Sequence, residues 1–225
     1  MGEMEENEKH KNDVLYQQNV WGGFYFYQKS DVLYQITFAF CDKYLPLRGD
    51  RTRDQMIQAA RSGKQNIVEG MADGVASTEM MLKLLNVGRS SIQELREDYE
   101  DYLKSRGLQI WTKEHPRYDK MLKFCRTHNK WEDYQPYLVK WSAEEYCNTC
   151  ISLCHMVDKM MITYLQKLEQ QFVTQGGIRE RMHKARTNYR KGQDEELAQL
   201  RVKVTEQKKE IERLKQLLNE KGIKY

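Results

Sequence analysis

Proline is scarce in this chain, and long apolar runs do not occur in it. Only three prolines are found among 225 residues, whereas charged residues make up 31%. Because proline interrupts helices and Lys, Glu, Gln and Leu favour them, this composition predicts an all-α protein. No apolar stretch approaches the roughly 18 residues of a membrane span. The acidic residues 1–13 also lack the apolar run of a signal peptide. We therefore expect a cytoplasmic protein without a membrane partner.

The chain also lacks the motifs of common catalytic sites. Its five histidines are scattered, and neither G-x-S-x-G nor H-E-x-x-H occurs. The sequence therefore predicts no enzymatic activity and no cofactor. One acidic cluster is interpreted as the solvated face of a helix, and its members are Glu94, Glu97, Asp98, Glu100 and Asp101.

A cysteine run is the strongest candidate metal site. Cys147, Cys150 and Cys154 precede His155 with a spacing that can bind zinc. However, the three cysteines continue into an apolar seam at helical spacing that begins with Val157, and His155 lies about 100° away from that seam. Free cysteines are often buried and pack as small hydrophobic side chains. We therefore predict core packing for these cysteines and no metal.

Apolar residues at helical spacing predict four long helices. Their expected ranges are about 30–44, 52–70, 78–104 and 142–175. Ser30, Thr52 and Ser142 are interpreted as N-caps, because their side-chain oxygens can accept bonds from free N–H groups of the first turn. Gly70 and Gly107 are interpreted as helix ends.

The connections between these helices predict an antiparallel four-helix bundle. Residues 1–27 are expected to form an acidic lead and an aromatic arm, and residues 28–177 the bundle. Within the bundle, residues 108–141 are interpreted as an aromatic connector with a short helix beginning at Pro116. A basic helical suffix at 178–192 and a C-terminal coiled coil at 193–225 complete the predicted organisation.

Heptads predict the coiled coil. Apolar residues occupy most a and d positions: Leu197, Leu200, Val204, Ile211, Leu214 and Leu218. Gln207 takes the middle d position, where a polar residue costs stability but can set register or oligomer state. The alternative is a lone solvated helix. Whether the heptads pair with themselves or with another protein is open.

The suffix concentrates positive charge. Six basic residues stand against Glu180 alone and give a local charge of +5; they are Arg179, Arg181, Lys184, Arg186, Arg190 and Lys191. Such a cluster suits the phosphate backbone of RNA or DNA. The alternative is a solvated linker helix whose arginines pair with acidic neighbours in an oligomer. A smaller basic set on the second helix, Arg53, Arg61 and Lys64, is also a candidate for nucleic-acid binding.

The segment RSGKQNIVEG (61–70) lies within the second predicted helix. It fails as a phosphate-binding loop, because Gly63-Lys64 is followed by glutamine and no strand precedes it. We interpret it as a structural motif at a helix contact. Gly63 would permit a close approach, Gly70 would free the helix end, and Asn66 and Glu69 would satisfy backbone groups where helices meet. Ser62 belongs to the same motif.

This segment resembles a motif of a bacterial four-helix-bundle family that includes the 23S ribosomal RNA intervening-sequence proteins. The usual form there is Ser-x-x-x-Asn-Ile-Ala-Glu-Gly, and Val68 replaces the alanine here. The run SIQEL (91–95) resembles the second mark of the family. RTRDQMIQAARSGKQNIVEG, DYEDYL and GGIRER (176–181) look closer to a subgroup called four-helix-bundle suffix proteins. The resemblance covers roughly residues 24–186.

The resemblance implies a helical bundle that assembles as a ring-like homo-oligomer, often a pentamer. One relative is the accessory variability protein of diversity-generating retroelements, which partners a reverse transcriptase and binds nucleic acid through a basic surface. We therefore expect a non-enzymatic, oligomeric, nucleic-acid-binding accessory protein and possible partner of a reverse transcriptase. The alternative is a structural oligomeric scaffold that makes protein–protein contacts only.

Overall fold

The structure is a computed structural model that describes residues 21–46, 51–73 and 77–222. Within these ranges it contains seven α-helices, one 3₁₀ turn and no strand, which confirms the all-α prediction. The 3₁₀ turn is Trp21–Gly23. The helices are α1 (Tyr25–Tyr44), α2 (Arg51–Asp73), α3 (Thr78–Ser105), α4 (Tyr118–Thr127), α5 (Trp131–Leu138), α6 (Ala143–Gln175) and α7 (Ile178–Glu220).

The helices divide into two compact units at the boundary between Ile178 and Arg179. The first unit contains α1 to α6. In it, α1 contacts α2 and α6, and α3 also contacts α2 and α6. Each of these four helices turns an apolar face towards one shared core. Fully buried members of that core include Leu33, Ile36, Phe40, Ile67, Ile92, Leu95, Tyr99, Leu153 and Val157.

Two short helices of this unit, α4 and α5, are bound to α1 through two of its lysines. The buried Lys29 donates through Nζ to the carbonyl oxygens of Cys125 and His128, at the end of α4. Lys43 donates to the carbonyl oxygens of Leu138 and Trp141, at 3.2 and 3.1 Å. The last carbonyls of a helix have no partner within the helix, so a cation there satisfies them and favours the helix dipole.

Two helix starts agree with the sequence. Ser77 accepts a hydrogen bond from the Met80 N–H at 3.2 Å at the start of α3. Ser142 and Glu145 form the expected capping box, in which each side chain accepts from the backbone N–H of the other residue. These caps confirm the predicted starts of α3 and α6, and the predicted end of α6 at Gln175 is also confirmed.

The predicted end of α3 is also confirmed. Gly107 has a φ of 63°, which favours glycine over any other residue. Its N–H donates to the carbonyl of Lys104 at 3.2 Å, and the Leu108 N–H donates to the carbonyl of Leu103 at 2.9 Å. This pair of bonds is a Schellman motif, which closes the helix.

The predicted start of α1 at Ser30 is wrong. The helix begins at Tyr25, and Ser30 lies inside it, fully buried, with its hydroxyl donating to the carbonyl of Tyr27 at 2.7 Å. Phe26 packs against the rings of Phe24 and Tyr164, at centroid distances of 5.2 and 5.4 Å. These packing contacts stabilise an additional turn, so part of the predicted aromatic arm is helical.

Three other boundaries differ from the predictions. Thr52 lies inside α2, which already begins at Arg51. Gly70 does not end α2, which continues to Asp73, and Gly70 is buried against the side chains of Leu84 and Leu85. In the connector, the first helix begins at Tyr118 and not at Pro116. The second, α5, contains Pro136 and was not predicted, because Pro136 and three aromatic residues obscure its short helical pattern.

The suffix and the heptad region form one uninterrupted helix. The sequence predicts a separate suffix at 178–192 and a coiled coil from 193, but α7 runs for 43 residues through Gly192 without a break. The predictions for residues 1–20 and 223–225 lie outside the described residues.

Two helices approach each other closely where Gly63 of α2 faces Gly88 of α3. A Cβ at Gly88 would lie 3.0 Å from the carbonyl oxygen of Gly63 and 3.2 Å from the Cβ of Asn66. A Cβ at Gly63 would lie 2.5 Å from Cδ1 of Ile92. Both glycines therefore permit a helix contact that a larger residue would push apart, which confirms the role predicted for Gly63.

We expect the Gly88→Ala substitution to lower the free energy of unfolding by about 1–2 kcal/mol, because the added methyl overpacks the contact. In an open helix position the same substitution would raise stability by about 0.8 kcal/mol. Val87→Ala, at an exposed site on the same helix, is the matched control and should change stability little. Chemical denaturation of both variants checks this. A Gly88→Ala protein more stable than the wild type would contradict the close contact.

Candidate nucleic-acid interface

The predicted basic residues of α7 are largely on the surface. Arg181 is partly exposed, and the other five are exposed: Arg179, Lys184, Arg186, Arg190 and Lys191. They are carried by a helix of 43 residues, so their spacing is set by the helix and not by a loop. The charge of the segment is therefore presented to solvent in a fixed arrangement, as electrostatic binding of a polyanion requires.

Three arginines of this segment share one stripe. At about 100° per residue, Arg179, Arg186 and Arg190 fall within about 40° of one another around the helix. Lys184 lies well away from this stripe, as does Lys191. An arginine presents several N–H donors in a planar fork, which matches phosphate oxygens in pairs. The stripe therefore offers a row of phosphate contacts along one side of α7.

An exposed aromatic residue lies in the same segment. Tyr189 is exposed, and its hydroxyl accepts a hydrogen bond at 3.1 Å from the side-chain amide of Gln193, one turn further on. Base stacking on such a ring is one chemical use of this arrangement.

The basic residues predicted on α2 are mostly engaged within the first unit. Arg53 donates at 2.8 Å to the carbonyl oxygen of Cys41, at the end of α1. Lys64 lies 2.6 Å from the carboxylate of Asp31 and 5.1 Å from the ring centroid of Tyr34. Of the three predicted residues, Arg61 alone is exposed. The structure thus does not bring these residues together as one open cationic surface.

The motif residues of α2 lie at its contact with α3. The hydroxyls of Ser62 and Ser91 are 3.0 Å apart, so the two marks of the family resemblance meet through a hydrogen bond. Asn66 donates through Nδ2 to the carbonyl oxygen of Ser62 at 2.9 Å and also to its hydroxyl at 3.1 Å. Glu69 is exposed and accepts from Gln65 at 3.4 Å. Asn66 thus satisfies a backbone carbonyl beside the helix contact, as expected, whereas the expectation for Glu69 is wrong, because its carboxylate is exposed and accepts from a side chain of its own helix.

The cysteines pack in the core, as predicted. None of the five forms a disulfide, and all five are buried. Burial raises the pKa of Cys125 to about 12 and holds the pKa of the Cys150 thiol well above its usual value. Metal ligands must be deprotonated, so this environment opposes metal binding by the thiols. Among the residues that the structure describes, no group of three or more His, Cys, Asp or Glu side chains is arranged to hold a metal ion.

Part of the acidic cluster of α3 lines a polar groove beside α2. Asp98 lines this groove with Ser62, Ser91, Gln55 and Gln58. Burial and, to a smaller extent, the neighbouring carboxylates of the cluster together raise the pKa of Asp98 to about 6. Elsewhere in the cluster, Glu100 lies 3.4 Å from Arg96 and 3.6 Å from Lys104. The predicted solvated face therefore includes one carboxyl group that is costly to ionise.

Two features at α6 were not found from the sequence. Arg89 of α3 lies 2.5 Å from the carboxylate of Asp158 on α6, which also accepts from Gln93 at 3.2 Å. These residues are far apart in the chain, so no local pattern indicates the contact. The second feature is an aromatic cleft with basic residues at its edge; its lining includes Phe24, Tyr25, Tyr164, Arg126, Lys159 and Lys167. These aromatic and basic residues come from separate parts of the chain. The cleft is therefore recognisable only in the structure, where α1, α4 and α6 lie together.

Comparison with protein-family models, with curated proteins and with solved structures gave no match to this chain. No helix within the described ranges has the length and apolarity needed to cross a membrane.

The raised pKa of Asp98 leads to a pH-dependent prediction. The folded state binds the Asp98 proton more tightly than the unfolded state, whose pKa is near 3.8. The folded state is therefore favoured most at low pH, and this contribution is lost as pH rises from about 4 to about 6. The Asp98→Asn substitution removes the free-energy cost of ionising this partly buried carboxyl group. It should raise the free energy of unfolding at pH 8 by about 1 kcal/mol, after allowance for solvent screening.

Urea denaturation at pH 4 and pH 8 measures this effect. The gain from Asp98→Asn should be present at pH 8 and largely absent at pH 4. Glu169→Gln removes the same charge from an exposed site on α6 and is the control. An equal gain for Asp98→Asn at both pH values would contradict the raised pKa.

Proposed function

We propose that this chain is a non-enzymatic, nucleic-acid-binding accessory protein that acts as a homo-oligomer. The observation that carries the proposal is the arginine stripe of α7, formed by Arg179, Arg186 and Arg190 on one exposed helical face. In the proposal, this face holds the phosphate backbone of RNA or DNA, and the first unit serves as its carrier. Binding of this kind needs no catalytic group.

The carrier is proposed to be an antiparallel four-helix bundle of α1, α2, α3 and α6. Two facts support this arrangement. Each of the four helices contacts two others, so the contacts close into a ring. Short links join α1 to α2 and α2 to α3, and consecutive helices with short links run antiparallel. The helices α4 and α5 then form the connector between α3 and α6.

The family resemblance supports the rest of the proposal. Its two marks meet at the Ser62–Ser91 hydrogen bond, which gives them a physical role at one helix contact. By that resemblance, the chain belongs beside the ribosomal intervening-sequence proteins and forms a homo-oligomer. The same resemblance makes a reverse transcriptase the protein that it serves. The buried cysteines, which form no disulfide, fit a reducing compartment such as the cytoplasm.

A structural scaffold is the second candidate function. The contacts of Arg53 and Lys64 within the first unit favour it, because these residues are not free for nucleic acid. In a scaffold, the heptads of α7 would make protein contacts and the arginines would pair with acidic groups of neighbours. The two functions differ in their response to salt and to loss of the arginines.

The salt dependence of binding tests the nucleic-acid function. We expect affinity for duplex DNA or RNA to fall steeply with salt, because bound phosphates release their counterions. Replacing Arg179, Arg181, Arg186 and Arg190 by Gln should weaken binding and flatten the plot of log affinity against log salt by about 3–4 units of slope. Fluorescence anisotropy at several salt concentrations measures both quantities.

A control with the same loss of charge is available in the first unit. Four exposed lysines of the connector, Lys113, Lys120, Lys123 and Lys140, can be replaced by Gln. This variant should keep the slope of the wild type. Equal slopes for the wild type and the fourfold arginine variant would favour the scaffold and reject the proposed interface.

A further inference from the structure

We propose that α7 pairs with α7 of a second copy of this chain as a parallel, in-register, two-stranded coiled coil over residues 193–221. We also propose that the pair forks open over residues 179–192 and receives a DNA duplex between its two arginine stripes. The pairing stands on its own observations, whereas the DNA duplex rests on the proposed function.

The apolar seam of α7 is only half covered in the single chain. Leu197, Leu200, Val204, Ile211 and Leu214 are between 47% and 52% exposed. In the described part of the second unit, α7 is the only helix. An apolar stripe along an exposed helix is stabilised when a partner helix covers it, and a seam with a strict seven-residue repeat suits an equivalent helix.

The charges beside the seam select a parallel partner. In a parallel pair, each g position faces the e position five residues further on in the other helix. Glu196 would then face Arg201 of the second copy, and Glu210 would face Lys215 of the second copy. Because of the twofold symmetry, each of these attractive pairs forms twice. One pair is repulsive, with Lys203 facing a lysine at position 208.

An antiparallel pair would be opposed by the same charges. There, e positions face e positions and g positions face g positions. Lys208 would face its own counterpart, Arg201 would face Lys215, and Glu210 would face its own counterpart. All three contacts bring like charges together, which destabilises the pairing.

The seam also indicates the register and the number of helices. Gln207 occupies the middle d position, and only the in-register pair places the two amides opposite each other, where they can share a hydrogen bond. A shift by one heptad would bury each amide against Leu200 or Leu214, at a cost. Val204 and Ile211 are β-branched residues at a, combined with leucine at d, and this combination favours two helices.

The seam changes character towards the N-terminal end of α7. The a and d positions before Gln193 carry Arg179, His183, Arg186 and Arg190. The arginine stripe therefore continues the line of the apolar seam. In a parallel pair these arginines would face one another and repel, so the helices separate there. The stripes then line the inner sides of the fork.

This geometry fits duplex DNA. The segment 179–190 is about 18 Å long at 1.5 Å per residue. The major groove of B-form DNA is about 12 Å wide and admits one α-helix, whereas the major groove of A-form RNA is too narrow for side chains to read. A basic segment followed by a zipper on one continuous helix is also the order in basic leucine-zipper proteins, whose two helices fork across the major groove.

Disulfide formation tests the orientation in the full-length chain without nucleic acid. Gln193→Cys and Lys221→Cys place single thiols at the two end d positions, about 42 Å apart along the helix. A disulfide needs Cα atoms within about 7 Å. In glutathione buffer, each variant should form a disulfide-linked dimer by itself, and a mixture should give little cross-linking between the two. The wild type, with five buried cysteines, is the control and should stay reduced.

Cross-linking only between the two different variants would reveal an antiparallel pair and overturn the inference. Absence of any disulfide would overturn it as well. A charge reversal gives an independent readout on the Gln193→Cys background. Lys215→Glu should lower the disulfide yield several-fold in a parallel pair, and the added Glu210→Lys should restore it. In a mixture of the two cysteine variants, Lys215→Glu would instead raise the cross-linking of an antiparallel pair, because a carboxylate at position 215 would then face Arg201.

The dimer locked through Lys221→Cys tests the fork, since its link lies at the far end of the helix. The probes are a 20-base-pair DNA duplex, an RNA duplex of the same sequence and the single strands. At the same protein concentration, the locked dimer should bind the DNA duplex at least about tenfold more tightly than the reduced form does. It should also prefer this duplex over the other probes.

The outcomes separate the two claims. A locked dimer that binds none of the probes would overturn the proposed function and the fork, while the parallel pair stands. Equal binding of RNA duplex and DNA duplex would overturn the fork and leave nucleic-acid binding in place. Nucleic-acid binding by a chain that forms no disulfide would overturn the pairing alone.

Discussion

The close approach of α2 and α3 at Gly63 and Gly88 is the contact on which the first unit depends. With no side chain at either position, the two backbones come near enough for a Cβ at Gly88 to meet the carbonyl oxygen of Gly63 at 3.0 Å. This spacing lets the hydroxyls of Ser62 and Ser91 bond across the contact. The same spacing places the buried side chain of Ile92 against Gly63. A larger residue at either glycine would separate α2 from α3. The apolar side chains along the rest of this contact pack only when the two helices are close together.

The opposite side of the core is fixed by aromatic and polar contacts between distant residues. Tyr99 of α3 is fully buried and donates its hydroxyl proton to Thr37 of α1 at 2.9 Å. Its ring packs edge-on against Phe40 at a centroid distance of 5.2 Å. Lys29 binds carbonyls of the connector helices, and burial lowers the pKa of its ammonium group. The first unit thus uses several of its charged groups internally, whereas α7 presents its charges to solvent. This contrast is the physical basis for assigning the binding role to α7.

The sequence predicted those parts of the fold that local chemistry determines. The capping residue Ser142 and the left-handed Gly107 each act within one turn, so their roles could be read from neighbouring residues. The start of α1 could not, because packing of Phe26 against Tyr164 extends the helix beyond Ser30. Gly70 matched a helix end by composition, but its actual role is a close contact with α3. For the candidate site, the positive charge of α7 is evident from its residue types. The hydrogen bond from Arg53 to the last turn of α1 is not, because it depends on how two helices are placed.

The central claim is that the basic segment of α7 holds nucleic acid, and hydroxyl-radical footprinting of the full chain tests it most directly. Two reporters lie within that segment: Met182 and Tyr189, which are 45% and 69% exposed. Met80 and Tyr137, at 43% and 48%, are residues of the same types in the first unit. Oxidation should be measured by mass spectrometry with and without duplex DNA. The account predicts protection of Met182 and Tyr189 and unchanged oxidation of Met80 and Tyr137. Protection confined to the first unit, or no protection at all, would contradict it.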